Sequence, residues 1–232
     1  MSPPKKTDRA SIVARRPWLT LAILAAIGAA VPWLLRDRAP DRTLVGRTTV
    51  VEAVLDDPGT PRVGVTAPTV TIVVFTDYQC PVCRATDPAL ERLIDRDRHV
   101  RVLFKDWPIF GVRSTAAARL ALAADRQGKY LAVHRALMAT RLPLTDPNLE
   151  TIAKGAGVDW PKLRADLAGN GPAIDALLKR QAFEAWSLGL QGTPGYLVGP
   201  YLVRGGLDGR ALAGMVEAAR ERRGPNANAE TS

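Results

Sequence analysis

The chain has few of the residues that cross-link or metallate small proteins: its 232 residues include only two cysteines and two histidines. Two cysteines cannot cross-link a secreted scaffold that depends on several disulfides, and alone they cannot complete a four-ligand zinc site. Because 47% of the residues are hydrophobic and 24% are charged, the chain can bury a substantial core. The composition therefore excludes a wholly disordered protein.

A long run of like charge is absent after residue 47, although the formal net charge of the chain is +9. The first 47 residues carry nine basic and three acidic side chains, so they contribute +6, and the remaining residues contribute only +3. Nucleic-acid binding requires Lys and Arg side chains that cluster on the folded part of a protein. The sequence therefore predicts no nucleic-acid partner.

Charge is missing entirely from residues 17–35, which are rich in Leu, Ile and Ala. A helix of this length spans about 28 Å, close to the hydrocarbon thickness of a bilayer. Trp18 and Trp33 lie near its ends, where indole rings favour the membrane interface. We therefore predict a basic segment at 1–16 and a transmembrane or signal-anchor helix at 17–35. The small residues at 28–30 leave open the alternative of a cleaved signal peptide.

The rest of the chain alternates between patterns typical of strands and of helices. The predicted elements are, in order, a leading strand at 49–55, a strand at 70–76, a helix at 77–98, a strand at 100–105, a helical block at 114–189, a hairpin at 196–203 and a helix from Asp208. We therefore predict a linker and leading strand at 36–55, one α/β domain at 56–222 and a disordered tail at 223–232.

The two cysteines form the motif Cys80-Pro81-Val82-Cys83, directly after a predicted strand and at the start of a predicted helix. Free N–H groups and the positive end of the helix dipole stabilise a thiolate at such a position. On one helical turn the first sulfur is expected to face outward and the second to lie beneath it. We therefore predict Cys80 as the attacking nucleophile and Cys83 as the resolving thiol.

Other roles for the two cysteines fit the sequence less well. A zinc site would need both His99 and His134 as further ligands, and covalent haem attachment would need a histidine where the chain has Arg84. A structural disulfide and a pair of inert buried cysteines remain alternatives. We predict no metal and no cofactor.

Four segments resemble those of the DsbA-like thiol-disulfide oxidoreductases of the thioredoxin superfamily. They are the motif segment at 75–84, the segment at 104–109, the helical segment at 127–138 and the loop at 188–194. The resemblance covers about residues 56–220 and implies a thioredoxin fold with a helical insertion at about 114–189. It also implies that Thr193-Pro194 is a cis peptide bond that faces the cysteines and helps to bind an extended substrate.

One position departs from the best-known members of that family, which carry a histidine where this chain has Val82. A histidine can stabilise the thiolate of Cys80 electrostatically, whereas a valine cannot. Since the residues between the cysteines, Pro81 and Val82, tune the site, we expect a weaker oxidant than those members.

Four titratable side chains outside the motif also have an expected position. Lys105 and Asp106 are expected either to perturb the site from the end of their strand or to form a solvated ion pair. His99 is expected on the surface and His134 at the edge of an amphipathic helix. Neither histidine is assigned to catalysis.

These features predict a protein-disulfide oxidoreductase that forms disulfides in exported proteins by thiol-disulfide exchange. Its expected partners are reduced or misoxidised exported proteins and a membrane redox partner that recycles the active site. We expect residues 17–35 to hold it in the inner membrane as a single-pass protein, with the catalytic domain in the periplasm or outside. A cleaved, soluble periplasmic form is the alternative.

The sequence also fits two other functions. One is a membrane-tethered disulfide reductase or isomerase, for example one that acts on apocytochromes. The other is a non-catalytic peptide-binding or chaperone module.

Overall fold

The computed structural model describes Leu21, residues 24–26, Gly28 and residues 41–223. The chain divides into two compact units, Met1–Ala39 and Pro40–Ser232. None of the helices in the described ranges is both long and apolar enough to cross a bilayer. Most of the predicted membrane segment at 17–35 lies outside the described residues, as do the predicted basic segment at 1–16 and nearly all of the predicted tail at 223–232.

The described part of the second unit contains six strands and seven helices. In chain order they are β1 (Arg42–Leu44), α1 (Thr49–Asp56), β2 (Arg62–Gly64), β3 (Val70–Thr76), α2 (Pro81–Arg96), β4 (Val100–Asp106), α3 (Val112–Asp125), α4 (Tyr130–Ala139), α5 (Asp146–Gly155), α6 (Trp160–Ser187), β5 (Gly195–Val198), β6 (Tyr201–Arg204) and α7 (Gly209–Arg223). The predicted strands at 70–76 and 100–105 and the predicted hairpin are confirmed.

The strands form one sheet in the order β1-β6-β5-β3-β4-β2. β3 and β4 are parallel, and every other neighbouring pair is antiparallel. Helix α2 connects β3 to β4, helices α3 to α6 are inserted between β4 and β5, and the hairpin β5–β6 leads into α7. This is the thioredoxin-like α/β fold with a helical insertion that the resemblance implied.

Helices cover both faces of the sheet, which explains the continuous hydrophobic run in β3. Ile72 and Val74 pack on the face covered by α2, α7 and the inserted helices. Val73 and Phe75 pack on the opposite face, against α1 and the end of α6. Full burial of each such side chain contributes about 1.5–3 kcal/mol, so packing on both sides fixes the strand that leads into the cysteine motif.

The sheet brings two distant segments of the chain together at one end of its central strands. Because β3 and β4 are parallel, they end together, and Thr76 pairs with Asp106. Strand β5 is antiparallel to β3, so its first residue, Gly195, pairs with Phe75. The cysteine motif after β3 and the Thr193-Pro194 segment before β5 therefore meet at the same end of these two strands.

The leading strand predicted at 49–55, within the region 36–55, is wrong, because those residues form helix α1. β-branched residues favoured a strand, but the backbone N–H of Val51 donates a hydrogen bond of 3.2 Å to the Thr48 hydroxyl and caps a helix. Val51 and Val54 are three residues apart, so they share one helix face and pack into the core. The predicted linker holds strand β1, which pairs with β6.

Candidate active site

The cysteine motif forms the beginning of helix α2. Cys80 is the N-cap residue, and its Sγ accepts a hydrogen bond from the backbone N–H of Cys83 at 3.4 Å. Pro81 occupies the first turn, where a missing N–H costs nothing because that group would have no helical partner. The first sulfur therefore lies at the positive end of the helix, where negative charge is stabilised.

Both cysteines are free thiols, and both are buried, with exposed fractions of 2% for Cys80 and 3% for Cys83. The expectation that the first sulfur faces outward is therefore wrong. The Cys80 thiol donates a hydrogen bond of 3.2 Å to the backbone carbonyl of Thr193, which belongs to a loop more than a hundred residues later in the chain. That loop covers the sulfur, and its contact with Cys80 could not be predicted from the residues of the motif alone.

The Thr193-Pro194 peptide bond is cis, as the resemblance implied. Pro194 is buried, and Thr193 is half-buried with its carbonyl directed at Cys80. Pro81 and Val82 are exposed, and the side chain of Val82 is 48% exposed next to the N-cap sulfur. The site is therefore an apolar rim around two covered thiols.

Cys83 is held as a neutral thiol. Burial raises its pKa to about 12, although the neighbouring Thr76 side chain, Asp77 backbone and Thr193 side chain act in the opposite direction. A thiol with this pKa releases almost no thiolate near neutral pH. The two cysteines therefore differ in their surroundings: Cys80 caps the helix, and Cys83 is enclosed in its first turn.

Two consecutive residues anchor the segment between β3 and the motif. Asp77 is buried and accepts four hydrogen bonds, from the segment around it, from the loop before α3 and from the first turn of α3. Tyr78 is also buried, and its hydroxyl lies 3.1 Å from Nδ1 of His134 in α4 and 3.4 Å from the Tyr130 hydroxyl. The segment is thus held from two sides.

His134 is buried, so its predicted position at the edge of the helix is wrong. Its Nε2 lies 3.0 Å from Oδ1 of Asp87 in α2, and its Nδ1 is bonded to Tyr78. A buried imidazole requires such partners for both nitrogens. The residue therefore links α4 to α2 and to the motif segment. Arg84 is half-buried, and its Nε donates to the backbone carbonyl of Met138 at 3.1 Å.

Lys105 and Asp106 form no solvated pair, because consecutive strand residues point to opposite faces of a sheet. The ammonium group of Lys105 is buried between the carboxylates of Asp57 at 3.1 Å and Glu184 at 2.7 Å. Asp106 is buried on the other face and accepts a hydrogen bond from the Tyr130 hydroxyl at 3.0 Å. Burial raises the pKa of Asp106 to about 7.

The alternative zinc site is not assembled. His99 is exposed before β4, and a strand of this length separates it from the cysteine edge by about 20 Å. Among the described residues, one group brings three possible ligand atoms within 4.8 Å of one another, namely Asp87, Glu91 and His134. The His134 nitrogen of this group is bonded to Asp87, and Glu91 pairs with Arg135.

The loop before α3 exposes apolar side chains next to the motif. Ile109 and Phe110 are 41% and 49% exposed, and the side-chain amide of Gln79 donates to the Phe110 carbonyl at 3.0 Å. Asp77 and Ile109 lie in two of the segments that resemble the DsbA-like family, but the sequence assigned no role to them or to Phe110. Their position was a second signal, because Asp77 follows β3 directly and the loop follows its parallel neighbour β4.

The chain is similar to curated proteins that are much longer. It is 28% identical over 213 residues to the Na(+)/H(+) antiporter NhaA 1 of Salinispora arenicola, a match that covers 85% of this chain and 32% of that protein. The chain thus spans about a third of that relative's length, and the antiport activity of that protein is not attributed to this chain.

Solved structures with the same fold include proteins described as thioredoxin-like and as a thiol-disulfide exchange protein. A thioredoxin-like oxidoreductase from Silicibacter pomeroyi DSS-3 is 36% identical, with a TM-score of 0.69, over 73% of this chain and 97% of that one. A periplasmic thioredoxin-like protein from Salmonella enterica serovar Typhimurium is 30% identical, with a TM-score of 0.64, over 76% and 98%. The thiol-disulfide exchange protein alpha-DsbA2 from Wolbachia pipientis is 28% identical, with a TM-score of 0.69, over 72% and 90%.

The profile of the DSBA-like thioredoxin domain matches residues 71–217, more than half of the chain. The matched range contains both the cysteine motif and the cis-proline loop that faces it. The chain therefore belongs to the DSBA-like thioredoxin domain family of thiol-disulfide oxidoreductases.

Proposed function

We propose that the chain exchanges disulfides with exported proteins through Cys80 and Cys83, and that its net direction is oxidation of the substrate. One observation carries the proposal. The Cys80 sulfur caps helix α2 and faces the Thr193 carbonyl at 3.2 Å, in the cis-proline loop directly before β5.

The proposed reaction begins with the enzyme disulfide between Cys80 and Cys83. A substrate thiolate attacks Sγ of Cys80, a substrate–enzyme disulfide forms, and the Cys80–Cys83 bond breaks. Cys83 leaves as a thiolate and takes up a proton, as its pKa of about 12 requires. A second substrate thiolate then attacks the substrate sulfur of the mixed disulfide, and Cys80 departs.

This sequence of steps balances. Two electrons and two protons pass from the substrate dithiol to the enzyme, which ends as the dithiol form. We propose that a membrane-bound disulfide oxidant takes up these electrons and restores the Cys80–Cys83 disulfide. The helix N-terminus lowers the cost of negative charge on Cys80 whenever it is the leaving group.

Thr193 and Pro194 are the proposed substrate-binding residues. They lie directly before β5, opposite the motif, and Pro194 has no N–H to donate. A backbone carbonyl at this position can accept from an extended peptide when the Cys80 thiol no longer donates to it. Pro81 and Val82 are the proposed tuning residues, since they are exposed beside Cys80.

We further propose that the catalytic domain works outside the cytoplasm. Disulfide formation belongs to oxidising compartments, and a similar protein from Salmonella enterica is described as periplasmic. The uncharged run at 17–35 is the proposed single-pass anchor in the inner membrane, and cleavage after a signal peptide is the alternative. Localisation of a tagged full-length chain after alkaline extraction of membranes separates the anchored form from the cleaved form.

Val82 favours a second candidate, a disulfide reductase or isomerase. An apolar residue beside Cys80 cannot stabilise its thiolate by charge, and a less stabilised dithiol form makes the disulfide a weaker oxidant. Equilibration of the purified enzyme with glutathione buffers discriminates the two directions. A potential near that of strongly oxidising family members supports the oxidase, and a strongly reducing one supports the reductase.

The Cys80→Ser variant tests the proposed mechanism. It should lose the oxidation of a reduced two-cysteine peptide completely, because the Cys80–Cys83 disulfide can no longer form and the remaining Cys83 is buried. An Asp97→Asn variant is a suitable control, because Asp97 follows α2 at the end remote from the motif. Normal turnover by Cys80→Ser contradicts the mechanism, and inactivity of the wild type in both oxidation and insulin reduction supports a non-catalytic module.

A further inference from the structure

Asp77 is a buried carboxylate with an unusual set of partners. Among the described residues it forms no salt bridge, so no cation offsets its burial. Burying an unpaired carboxylate is unfavourable unless hydrogen bonds replace those it made with water. Four hydrogen bonds replace the lost contacts with water, and their donors show which segments the carboxylate holds together.

Two of these bonds come from the loop between β4 and α3. The Oδ2 atom of Asp77 accepts from the backbone N–H groups of Ile109 at 2.7 Å and Phe110 at 3.0 Å. The Oδ1 atom accepts from the backbone N–H of Gln79 at 2.7 Å and from the hydroxyl of Ser114, in the first turn of α3, also at 2.7 Å. One side chain therefore joins the motif segment to the loop and to the helix that follows it.

Gln79 makes a second connection between the same parts. Its side-chain amide donates to the Phe110 carbonyl and to the Ser114 hydroxyl, both at 3.0 Å. Helix α3 has Gly111 as its N-cap residue, which supplies no side-chain cap. The Asp77 carboxylate is instead connected to the first turn of α3 through the Ser114 hydroxyl.

The loop held in this way presents apolar side chains to solvent beside the cysteines. Ile109 and Phe110 are both exposed, whereas Trp107 is buried and its N–H donates to the Thr76 carbonyl at 2.8 Å. The Asp77 carbonyl in turn accepts from the backbone N–H of Cys80 at 3.1 Å. The same residue thus fixes the N-cap sulfur with its backbone and the apolar loop with its side chain.

We propose that Asp77 is a positioning residue that sets the affinity for the polypeptide substrate. Its carboxylate holds Ile109 and Phe110 at a fixed distance from Cys80, so that they contact apolar residues that flank the reacting cysteine of the substrate. This inference rests on the proposed function. It adds a residue that controls the affinity for the substrate without touching the substrate.

The test compares two substrates that react at the same sulfur. One is a reduced two-cysteine peptide with leucine and phenylalanine beside the cysteines, and the other is dithiothreitol, which has no side chains for the loop to contact. Asp77→Asn should raise KM for the peptide about tenfold, the equivalent of one or two lost hydrogen bonds, because an amide in this position faces N–H donors. The rate with dithiothreitol and the peptide kcat should not change.

Two more variants separate positioning from a change of charge or a loss of structure. Ser114→Ala removes one anchor without altering charge and should raise KM for the peptide in the same direction by a smaller factor. Asp97→Asn, the matched control, removes a carboxylate that accepts from the His99 N–H and pairs with Arg220. It should leave KM for the peptide unchanged.

The outcomes separate this inference from the proposed function. If Asp77→Asn lowers the reaction rate equally with the peptide and with dithiothreitol, the inference is overturned, because the residue then acts on the enzyme thiols themselves. An unchanged peptide KM in a folded Asp77→Asn also overturns it. If that variant does not fold, Ser114→Ala decides, and an unchanged KM there is equally negative. A wild type that exchanges with neither substrate contradicts the proposed function instead.

Discussion

The sulfur of Cys80 lies 3.2 Å from the carbonyl oxygen of Thr193, a residue 113 positions later in the chain. The contact exists because β5 runs antiparallel to β3 and starts beside Phe75, so the loop before it reaches the N-terminus of α2. The loop before β5 covers the reacting sulfur on one side, and the exposed Val82 and the loop after β4 lie on the other sides. The proposed chemistry and its specificity both depend on this arrangement.

Cys83 should resist alkylation in the reduced, folded protein. Its thiol is buried and has a pKa of about 12, so the nucleophilic thiolate is scarce near neutral pH. Iodoacetamide at pH 8 should leave Cys83 unmodified, and labelling should increase only as the pH approaches the pKa. Peptide mass spectrometry measures this, with the urea-unfolded protein as the control in which both cysteines react. Rapid labelling of Cys83 in the folded protein at pH 8 contradicts the assignment.

Replacement of Val82 by histidine should make the enzyme more oxidising. A protonated imidazole beside Cys80 stabilises its thiolate, and about 1.4 kcal/mol of such stabilisation raises the potential of a two-electron couple by about 30 mV. The measurement is a glutathione titration of Val82→His against wild type, with Val82→Leu as the uncharged control. An unchanged or lower potential in Val82→His argues that this position does not tune the site.

Asp106 should make stability fall as the pH rises. Burial raises its pKa from an ordinary value of 3.8 to about 7, so the folded state keeps a proton that the unfolded state releases. The contribution is fully present below pH 3.8 and is lost as the pH rises through about 7. It amounts to roughly 4 kcal/mol for a shift of this size.

Urea unfolding between pH 4 and pH 8 tests this prediction. Asp106→Asn mimics the protonated form and can still accept from Tyr130, so its stability should lack this part of the pH dependence. The Oδ1 atom of Asp106 has no hydrogen-bond partner within the described residues, which agrees with a neutral acid. Parallel pH profiles for wild type and variant contradict the shifted pKa.

Much of the fold follows from local sequence. The strand at 70–76 could be predicted because a buried central strand must be apolar on both faces. The cis bond at Thr193-Pro194 came from the resemblance, whereas its contact with Cys80 required the sheet order. Local propensity failed at 49–55, where a side-chain cap from Thr48 and an i,i+3 valine pair outweighed β-branching.

The buried polar groups could not be predicted from sequence in the same way. His134 lies in a helix whose pattern admits an edge position, and only the fold reveals that Tyr78 and Asp87 reach both of its nitrogens. Lys105 and Asp106 are adjacent and opposite in charge, so a solvated pair was a reasonable expectation. Strand geometry separates them onto two faces, where each finds partners distant in sequence.

Loss of Asp57 should destabilise the fold. Its carboxylate bonds the buried Lys105 and also Arg180, and although burial itself acts the other way, these partners lower its pKa to about 2. The contribution of this lowered pKa is present above pH 3.8 and is lost as the pH falls through 2. Asp57→Asn should cost about 3–5 kcal/mol of unfolding free energy at pH 7, as expected for breaking a buried ion pair.

Glu150→Gln is the matched control for that substitution. Glu150 pairs with Lys154 one helical turn later, and both side chains are substantially exposed. Such a pair contributes about 0.3–0.5 kcal/mol, so the control should unfold almost as the wild type does. Equal unfolding free energies for Asp57→Asn and Glu150→Gln in urea contradict the structural role of the Lys105 cluster.

The most direct test of the account is to trap the intermediate with the Cys83→Ser variant. Oxidised glutathione first loads its single cysteine, the free glutathione is removed, and a reduced one-cysteine peptide is then added in equimolar amount. Mass spectrometry of the folded protein should show one peptide joined by a disulfide to Cys80, because Cys83 can no longer attack Cys80 and expel the peptide, and no second peptide thiol is present in excess. An enzyme–peptide disulfide that never forms, while the same peptide exchanges with glutathione alone, contradicts the claim that Cys80 is the reacting sulfur.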